Sequence, residues 1–209
     1  MKTIVFGATG SVGKLAVEQL LAEGHAVTAF ARSPEKLGLT HPALTLHAGD
    51  AMDADSVADA IAGHDAVIVT LGAGMSRTSR IRSRGTLNVI RGMQRHGVRR
   101  LICQSTLGAQ ESWSNLNFFW KRIMFGALLR PVFKDHELQE QLVAASGLDW
   151  TIVRPGAFAD GPATGAFKEG FGPEERALTL KISRADIAAF LARQLNDLRY
   201  ARQAVAISN

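Results

Sequence analysis

Short apolar runs alternate along the chain with segments of helical periodicity. The apolar runs are TIVF, AVTAF, LTLH, AVIVT, RLICQ and DWTIVR, and the helical segments between them include RSRGTLNVIRGMQRHG and DHELQEQLVAAS. Near-continuous apolar strands joined by helices are typical of a parallel sheet that is covered on both faces. The pattern therefore predicts an α/β protein with a doubly wound parallel sheet.

The pattern changes after Arg154. Residues 155–175 are rich in Gly and Pro, which indicates a loop, and Ser183 then offers an N-cap for a final helix. The run QAVAIS near the end could add one more strand. The chain shows no linker and no internal repeat, so we expect a single domain over residues 1–209, with a substrate crevice formed by 105–136 and 155–180.

Three glycines at three-residue spacing follow the first apolar run and precede a helix predicted from Ser11 to Ala22. Gly7 permits a sharp turn, Gly10 lets the backbone approach a pyrophosphate, and Gly13 lets the helix pack closely on the strand. The helix N-terminus directs its free amides and positive dipole end at the phosphates. The loop therefore predicts a dinucleotide site in a Rossmann fold. Its predicted contacts are Gly7, Thr9, Gly10, Ser11, Val12 and Gly13.

The end of the second strand indicates which dinucleotide is bound. An NAD site usually has an acid here, but this chain has Arg32 and Ser33. A guanidinium pairs well with the 2′-phosphate of NADP, so we expect NADPH to be preferred over NADH. Asp50, with Ala51 beside it, ends the third strand and is expected near the adenine. Asp50 could alternatively cap the helix that begins near Asp53.

The chain is basic, with a net charge of +5 and a pI near 9.8. Arginines with helical spacing predict one basic helix face, formed by Arg77, Arg80, Arg84, Arg91 and Arg95. We interpret it as a solvated face, because the sequence lacks a nucleic-acid-binding motif and aromatics interleaved with the charges. No nucleic-acid partner is expected, whereas an anionic substrate or partner stays open.

The other chemistry-bearing residues exclude several classes of site. The only cysteine, Cys103, cannot form an internal disulfide and is expected in the core, which favours a reducing, cytoplasmic location. The N-terminal TIVF run is too short for a signal peptide. No metal-ligand spacing and no nucleophile elbow is present, so no metal is expected.

Several blocks of the chain resemble one superfamily. GATGSVGK, VTAFARSPEKL, GHDAVIVTLG, SRGTLNVIRGMQRHGV, CQSTLG and DHELQEQLVAASGLDWTIVRPG are similar to the atypical, NmrA-like short-chain dehydrogenase/reductases that bind NAD(P)H. Among these the chain most resembles the flavin reductase/biliverdin-IX-beta reductase group, over nearly its whole length. In the resembled register, Val132 and His136 replace the Tyr-x-x-x-Lys pair of other members, and the only tyrosine is Tyr200.

The resemblance implies roles for residues at the strand ends. Thr70, Leu71 and Gly72 would line the ribose and nicotinamide side, and Pro155, Gly156 and Ala157 would flank the nicotinamide amide. Ser105 and His136 are implied as catalytic residues. Ser105 could alternatively close a turn, and His136 could be a local cap or a surface residue.

The missing tyrosine disfavours alcohol–ketone chemistry and sugar epimerisation by that pair. Hydride transfer to a conjugated acceptor does not need it, since solvent can supply the proton. We therefore expect an NADPH-dependent reductase of a flavin, quinone or similar acceptor. The alternative is a non-catalytic NADP(H)-binding regulator.

Residues 113–133, WSNLNFFWKRIMFGALLRPVF, depart from the resembled group. Lys121 and Arg122 interrupt this segment, so it is not a membrane-spanning helix. It could form a lid over a flat apolar substrate, a dimer or membrane-surface contact, or ordinary core packing. A membrane contact is not favoured, and both a monomer and a homodimer stay open.

Overall fold

A mostly parallel sheet forms the centre of the protein in a computed structural model that describes residues 1–74, 76 and 78–209. Its eight strands are ordered β3-β2-β1-β4-β5-β6-β10-β8, and every pairing is parallel except that of β8 with β10. A second, two-stranded parallel sheet pairs β7 with β9. The strands are β1 (Lys2–Phe6), β2 (Ala26–Ala31), β3 (Leu44–Ala48), β4 (Ala66–Val69), β5 (Arg100–Gln104), β6 (Asp149–Pro155), β7 (Ala157–Ala159), β8 (Lys168–Glu169), β9 (Lys181–Ser183) and β10 (Gln203–Ser208).

Helices cover both faces of the sheet. They are α1 (Gly13–Ala22), α2 (Ala54–Ile61), α3 (Ile81–His96), α4 (Arg130–Ala144) and α5 (Arg184–Arg193). Neighbouring residues of one strand enter different cores, because side chains alternate across a sheet. Val5 thus packs in the core beside α1 and α5, whereas Ile4 packs in the core beside α2 and α3. The predicted doubly wound α/β fold in a single domain is confirmed.

The position of the crevice follows from the strand order. From β1 the chain passes to β2 and β3 on one side, and it then returns to add β4 on the other side of β1. In such sheets a crevice opens outside the carboxyl ends of the strands, where the winding direction reverses. Gly7, which follows β1, and Thr70, which follows β4, lie at this point.

Several predicted boundaries shift in the structure. Helix α1 begins at Gly13 and not at Ser11, because the residues before it form the turn in which the Gly10 N–H donates to the Gly7 carbonyl at 2.9 Å. Helix α3 begins at Ile81, so Arg80 precedes it, while Arg77 lies outside the described residues. The predicted loop 155–175 contains β7 and β8.

Two predictions for the C-terminal part are confirmed. The Ser183 hydroxyl caps α5 by accepting a hydrogen bond from the Asp186 N–H at 2.9 Å, and QAVAIS forms β10. In the part of the chain that the structure describes, no helix is both long and apolar enough to cross a bilayer.

Buried polar contacts fix α4 against its neighbours. The Arg154 guanidinium on β6 donates to the Glu140 carboxylate on α4 at 2.7 Å, and both side chains are buried. At the other end of the helix, the Asp135 carboxylate accepts the Arg82 and Ser83 backbone N–H groups of α3 at 3.1 and 3.2 Å. These contacts set the position of His136, the residue that follows Asp135.

Candidate functional site

A crevice with a volume of about 610 Å³ lies at the carboxyl ends of the parallel strands. All of the residues predicted for the site line it except Gly13 and Ser33. The residues that line it are Gly7, Thr9, Gly10, Ser11, Val12, Arg32, Asp50, Ala51, Thr70, Leu71, Gly72, Ser105, His136, Pro155, Gly156 and Ala157. The fold thus brings together residues that are spread over most of the chain.

The glycine loop packs tightly against the end of β4. Gly7 has a φ of +86°, and a Cβ there would lie 2.7 Å from the Thr70 carbonyl oxygen, so only glycine fits. A Cβ on Gly13 would collide with the Gly7 carbonyl oxygen and would approach Thr70 Oγ1 to 2.8 Å. Gly13 is therefore a packing position, which explains why it does not line the crevice.

The start of α1 leaves backbone donors free. Val12 is the N-cap residue, and no side chain caps the helix. The N–H groups of Ser11, Val12 and Gly13 make no hydrogen bond within the described part of the chain. Free N–H groups at a helix N-terminus are suited to bind phosphate oxygens, so the loop fits the pyrophosphate of a dinucleotide.

The ends of β2 and β3 form one end of the crevice. Arg32 is exposed there, and among the described residues it forms no ion pair, so its guanidinium is available to an anion. The Asp50 carboxylate accepts a hydrogen bond from the Met52 N–H at 2.9 Å. The alternative that Asp50 caps α2 is wrong, because Asp53 is the cap and accepts the N–H groups of Asp55 and Ser56.

Ser105 lies at the opposite end of the crevice, immediately after β5. Its N–H donates to the Val153 carbonyl at 2.7 Å, which fixes its backbone, and the residue is only 2% exposed. Its hydroxyl is buried and has no hydrogen-bond partner within the described residues. A turn closed by this hydroxyl would need a bond to the backbone that Ser105 does not make, so the hydroxyl is free to contact a bound molecule.

His136 faces the same end of the crevice from the second turn of α4. It is not at the helix start, because α4 begins at Arg130. The pKa of His136 is lowered to about 3, first by burial and then by the positive charge of Arg82, while the Gln139 side chain opposes both effects. The imidazole is therefore neutral near pH 7, and its buried Nδ1 has no hydrogen-bond partner in the described part of the chain.

Two further polar side chains of the crevice were not predicted from the sequence. Arg82 lines it with buried Nε and Nη1 atoms that have no partner among the described residues, and the buried Gln104 Oε1 is also unpartnered. A signal for Arg82 existed. It is two positions from both Arg80 and Arg84, which places it opposite the basic face on a helix of 3.6 residues per turn.

The segment 113–133 forms an apolar wall of the crevice. A π-helical stretch, Phe119–Leu128, leads into α4, and the side chains that line the crevice are Leu116, Trp120, Phe125, Leu129 and Val132. Behind the wall Phe133 stacks on Phe125, with ring centroids 4.7 Å apart. Phe118 and Phe119 point away and are 74% and 49% exposed. The segment thus combines crevice lining, core packing and an exposed apolar surface.

Other reactive groups lie outside this chemistry. Cys103 is a buried free cysteine, as expected, and burial raises the pKa of its thiol, which disfavours the nucleophilic thiolate. Within residues 1–74, 76 and 78–209, no group of three His, Cys, Asp or Glu side chains is arranged to hold a metal ion.

Comparisons with known proteins agree with this geometry. The model of a family described as NAD(P)H-binding matches residues 7–198. The chain is 28% identical over 205 residues to UPF0659 protein YMR090W of Saccharomyces cerevisiae, covering 93% of this chain and 87% of that one. It is 27% identical over 206 residues to an uncharacterized sugar epimerase of Bacillus subtilis, YhfK, covering 94% and 89%.

A solved structure shares both the fold and part of the sequence. ChuY, described as an anaerobillin reductase from Escherichia coli O157:H7, superposes with a TM-score of 0.80 at 28% identity. The match covers 99% of this chain and 96% of ChuY. The resemblance inferred from the sequence blocks is thereby confirmed at the level of the family.

The neutral His136 predicts an acid sensitivity of the fold. Its pKa is about 3 in the folded protein and about 6.5 in an unfolded chain, so the unfolded state binds more protons between these values. The contribution of the neutral His136 to the free energy of unfolding is complete above about pH 6.5 and is lost as the pH falls towards 3. When the pH falls from about 8 to about 5, the unfolding free energy of the wild type should decrease by about 1–2 kcal/mol more than that of His136→Gln.

Urea unfolding at the two pH values measures this difference, and His96→Gln, which alters an exposed histidine, is the matched control. An equal loss for the wild type and His136→Gln would show that His136 titrates alike in both states.

Proposed function

We propose that this chain, which belongs to the NAD(P)H-binding family, is an NADPH-dependent reductase of flat, conjugated acceptors such as flavins or quinones. One observation carries the proposal. A single crevice joins the glycine loop, where the N-terminus of α1 has no side-chain cap, to an apolar wall that contains Trp120 and Phe125. When bound, NADPH supplies a hydride from its nicotinamide C4 and leaves as NADP⁺. The acceptor gains that hydride and takes one proton from solvent.

The cofactor would lie along the strand ends. The free N–H groups of residues 11–13 would bind the pyrophosphate, and Arg32 would bind the 2′-phosphate. Residues 70–72 would contact the ribose on the nicotinamide side. Residues 155–157 would hold the nicotinamide, where the close approach of Gly156 to Leu180 fixes the backbone.

Ser105 and the wall would orient the acceptor. The unpartnered Ser105 hydroxyl can donate a hydrogen bond to a carbonyl or ring nitrogen of the acceptor. The neutral His136 can donate or accept a hydrogen bond. Because its pKa is low, it carries no extra proton to give near pH 7, which favours solvent as the proton source. Trp120 and Phe125 would hold the acceptor plane against the nicotinamide and exclude water.

The names of the relatives bear on this choice. ChuY is described as a reductase, which agrees with the proposed reaction class. YhfK is called a sugar epimerase. The resemblance implies, however, that Val132 and His136 take the positions of the Tyr-x-x-x-Lys pair in this chain. An apolar wall also suits a conjugated ring better than a sugar, whose hydroxyls need polar partners.

Turnover and cofactor binding together test the proposal. Wild type should oxidise NADPH with at least one member of a panel of riboflavin, FMN and naphthoquinones. Gly10→Val should abolish both cofactor binding and turnover, because the side chain enters the phosphate loop, whereas the fold should survive since the added Cβ meets only the Gly7 carbonyl oxygen, at 3.1 Å.

Gly172→Val is the matched control, because a Cβ there meets open space, and it should behave as wild type. NADPH binding without turnover of any acceptor would contradict the proposal and favour a non-catalytic NADP(H)-binding regulator.

Arg32 provides a prediction for cofactor choice. Loss of a charge-assisted hydrogen bond costs about 1.5–3 kcal/mol, so Arg32→Ala should weaken NADPH binding roughly ten- to a hundredfold. NADH binding should hardly change, because NADH lacks the 2′-phosphate. Fluorescence titration with both cofactors measures the effect, with Arg91→Ala on the exposed face of α3 as the control. Equal weakening of both cofactors would exclude a specificity role for Arg32.

The wall provides a prediction for acceptor binding. Trp120→Ala should raise KM for large aromatic acceptors about tenfold, with the Kd of NADPH unchanged, because an aromatic contact is lost only on the acceptor side. Phe118→Ala is the control, since that side chain is 74% exposed. Unchanged acceptor kinetics in Trp120→Ala, together with strong sedimentation of the protein with anionic vesicles, would instead assign the segment to a membrane surface.

A further inference from the structure

Arg82 is half-buried in the wall of the crevice, and two nitrogen atoms of its guanidinium are buried without a partner among the described residues. The residue lies in the first turn of α3, and its Nε and Nη1 atoms are buried and make no hydrogen bond within the described residues. Asp135 is the neighbouring carboxylate, but its two oxygens accept the backbone N–H groups of Arg82 and Ser83. One of them also accepts the Ser83 hydroxyl. Asp135 thus serves the start of α3, and the two Arg82 side-chain donors remain free.

The two buried nitrogen atoms of Arg82 need a partner, because desolvation of an unpaired cationic donor is costly. Burial lowers the pKa of Arg82, and the Asp135 charge opposes this effect. The ordinary pKa of arginine is so far above neutrality that the side chain stays a cation at pH 7. The crevice therefore presents a positive charge with two directed N–H donors to whatever fills it.

This inference rests on the proposed function, in which residues other than Arg82 bind the anionic groups of the cofactor. The N–H groups of the glycine loop would bind the pyrophosphate, and Arg32 would bind the 2′-phosphate. The positive charge of Arg82 lowers the pKa of His136, so the two side chains are near each other. His136 lies with Ser105 in the part of the crevice assigned to the nicotinamide and the acceptor. The nicotinamide end of NADPH carries no anion, so the cofactor offers Arg82 no partner there.

We propose that Arg82 binds a carboxylate or phosphate group of the acceptor, so that the substrates of this protein are anionic conjugated molecules. A guanidinium pairs with either oxyanion through parallel N–H···O bonds, and burial strengthens such bonds. Ser105 and Gln104 add unpartnered polar atoms to the same crevice, and the apolar wall takes the ring system. The acceptor is thereby fixed at two places, its rings and its anionic group.

Equilibrium binding to the NADP⁺-saturated protein tests this without turnover, with quenching of tryptophan fluorescence as the readout. Two probe pairs separate charge from ring shape: FMN with riboflavin for a phosphate, and anthraquinone-2-carboxylate with 2-(hydroxymethyl)anthraquinone for a carboxylate. The wild type should bind the anionic member of at least one pair about tenfold or more tightly. Which pair shows this preference identifies the oxyanion.

Three variants test whether Arg82 causes the preference for the anionic probe. Arg82→Gln should remove it by weakening the anionic probe about tenfold, with the neutral probe and NADP⁺ unchanged. Arg82→Lys should keep part of it, because the charge remains while the fork of donors is lost. Arg84→Gln removes an exposed charge from the same helix and should bind all probes as wild type does.

The failures of this inference and of the proposed function are distinguishable. Equal binding of both members of each pair by the wild type overturns the inference, and so does an Arg82→Gln variant that loses NADP⁺ affinity but keeps the anion preference. NADPH oxidation would still support the reductase in either case. An anion preference lost in Arg82→Gln, without turnover of any acceptor, would support the Arg82 site and overturn the reductase.

Discussion

The contact between the glycine loop and the end of β4 is the constraint on which the crevice depends. Gly7 turns in a left-handed conformation directly beneath the Thr70 carbonyl, and Gly13 brings α1 against the Gly7 carbonyl. Any side chain at either position would push α1 away from the sheet. This close packing places the free N–H groups of Ser11, Val12 and Gly13 at the strand ends. A loop that is fixed by its own packing is preorganised, which lowers the cost of ordering it on binding.

A second constraint acts at the junction of α3 and α4. The Asp135 carboxylate holds the first turn of α3, and the buried pair of Arg154 and Glu140 holds α4 against β6. Arg82 and His136 flank this junction, one on each helix. Burial, and then the positive charge of Arg82, disfavour protonation of the imidazole, so the same packing that places His136 in the crevice also keeps it neutral. Position and protonation state thus have one structural origin.

The sequence was sufficient to predict the fold class, because strands buried on both faces leave near-continuous apolar runs that periodicity detects. It also predicted the strand-end residues of the crevice, since parallel strands align their carboxyl ends at one edge. Their chemical roles remain predictions. The start of α4 was placed too late, although Pro131 in its first turn was an available signal.

Arg82 was missed for a different reason. The spacing of arginines predicts which of them share a face, but it does not predict what covers the opposite face. Helix α4 packs against α3 beside Arg82, where the Asp135 carboxylate accepts the Arg82 backbone N–H, and this contact joins residues more than fifty positions apart. The π-helical stretch Phe119–Leu128 was also beyond reach, because its aromatic side chains fit a lid, a docking surface and a core equally well.

The wall of the crevice comes from one continuous stretch, whereas the cofactor half is assembled from the ends of many strands. Its aromatic rings pack largely on one another, through Trp120 on Phe125 and Phe125 on Phe133. Substitutions in this stretch therefore act first on the wall and on the small core that it shares with Leu107, Leu180 and Ala206. The two halves of the cavity are thus built in different ways, one from separate strand ends and one from a single segment. Under the proposed function, exchange of this single stretch would change the range of acceptors while the strand-end residues proposed to bind NADPH stay as they are.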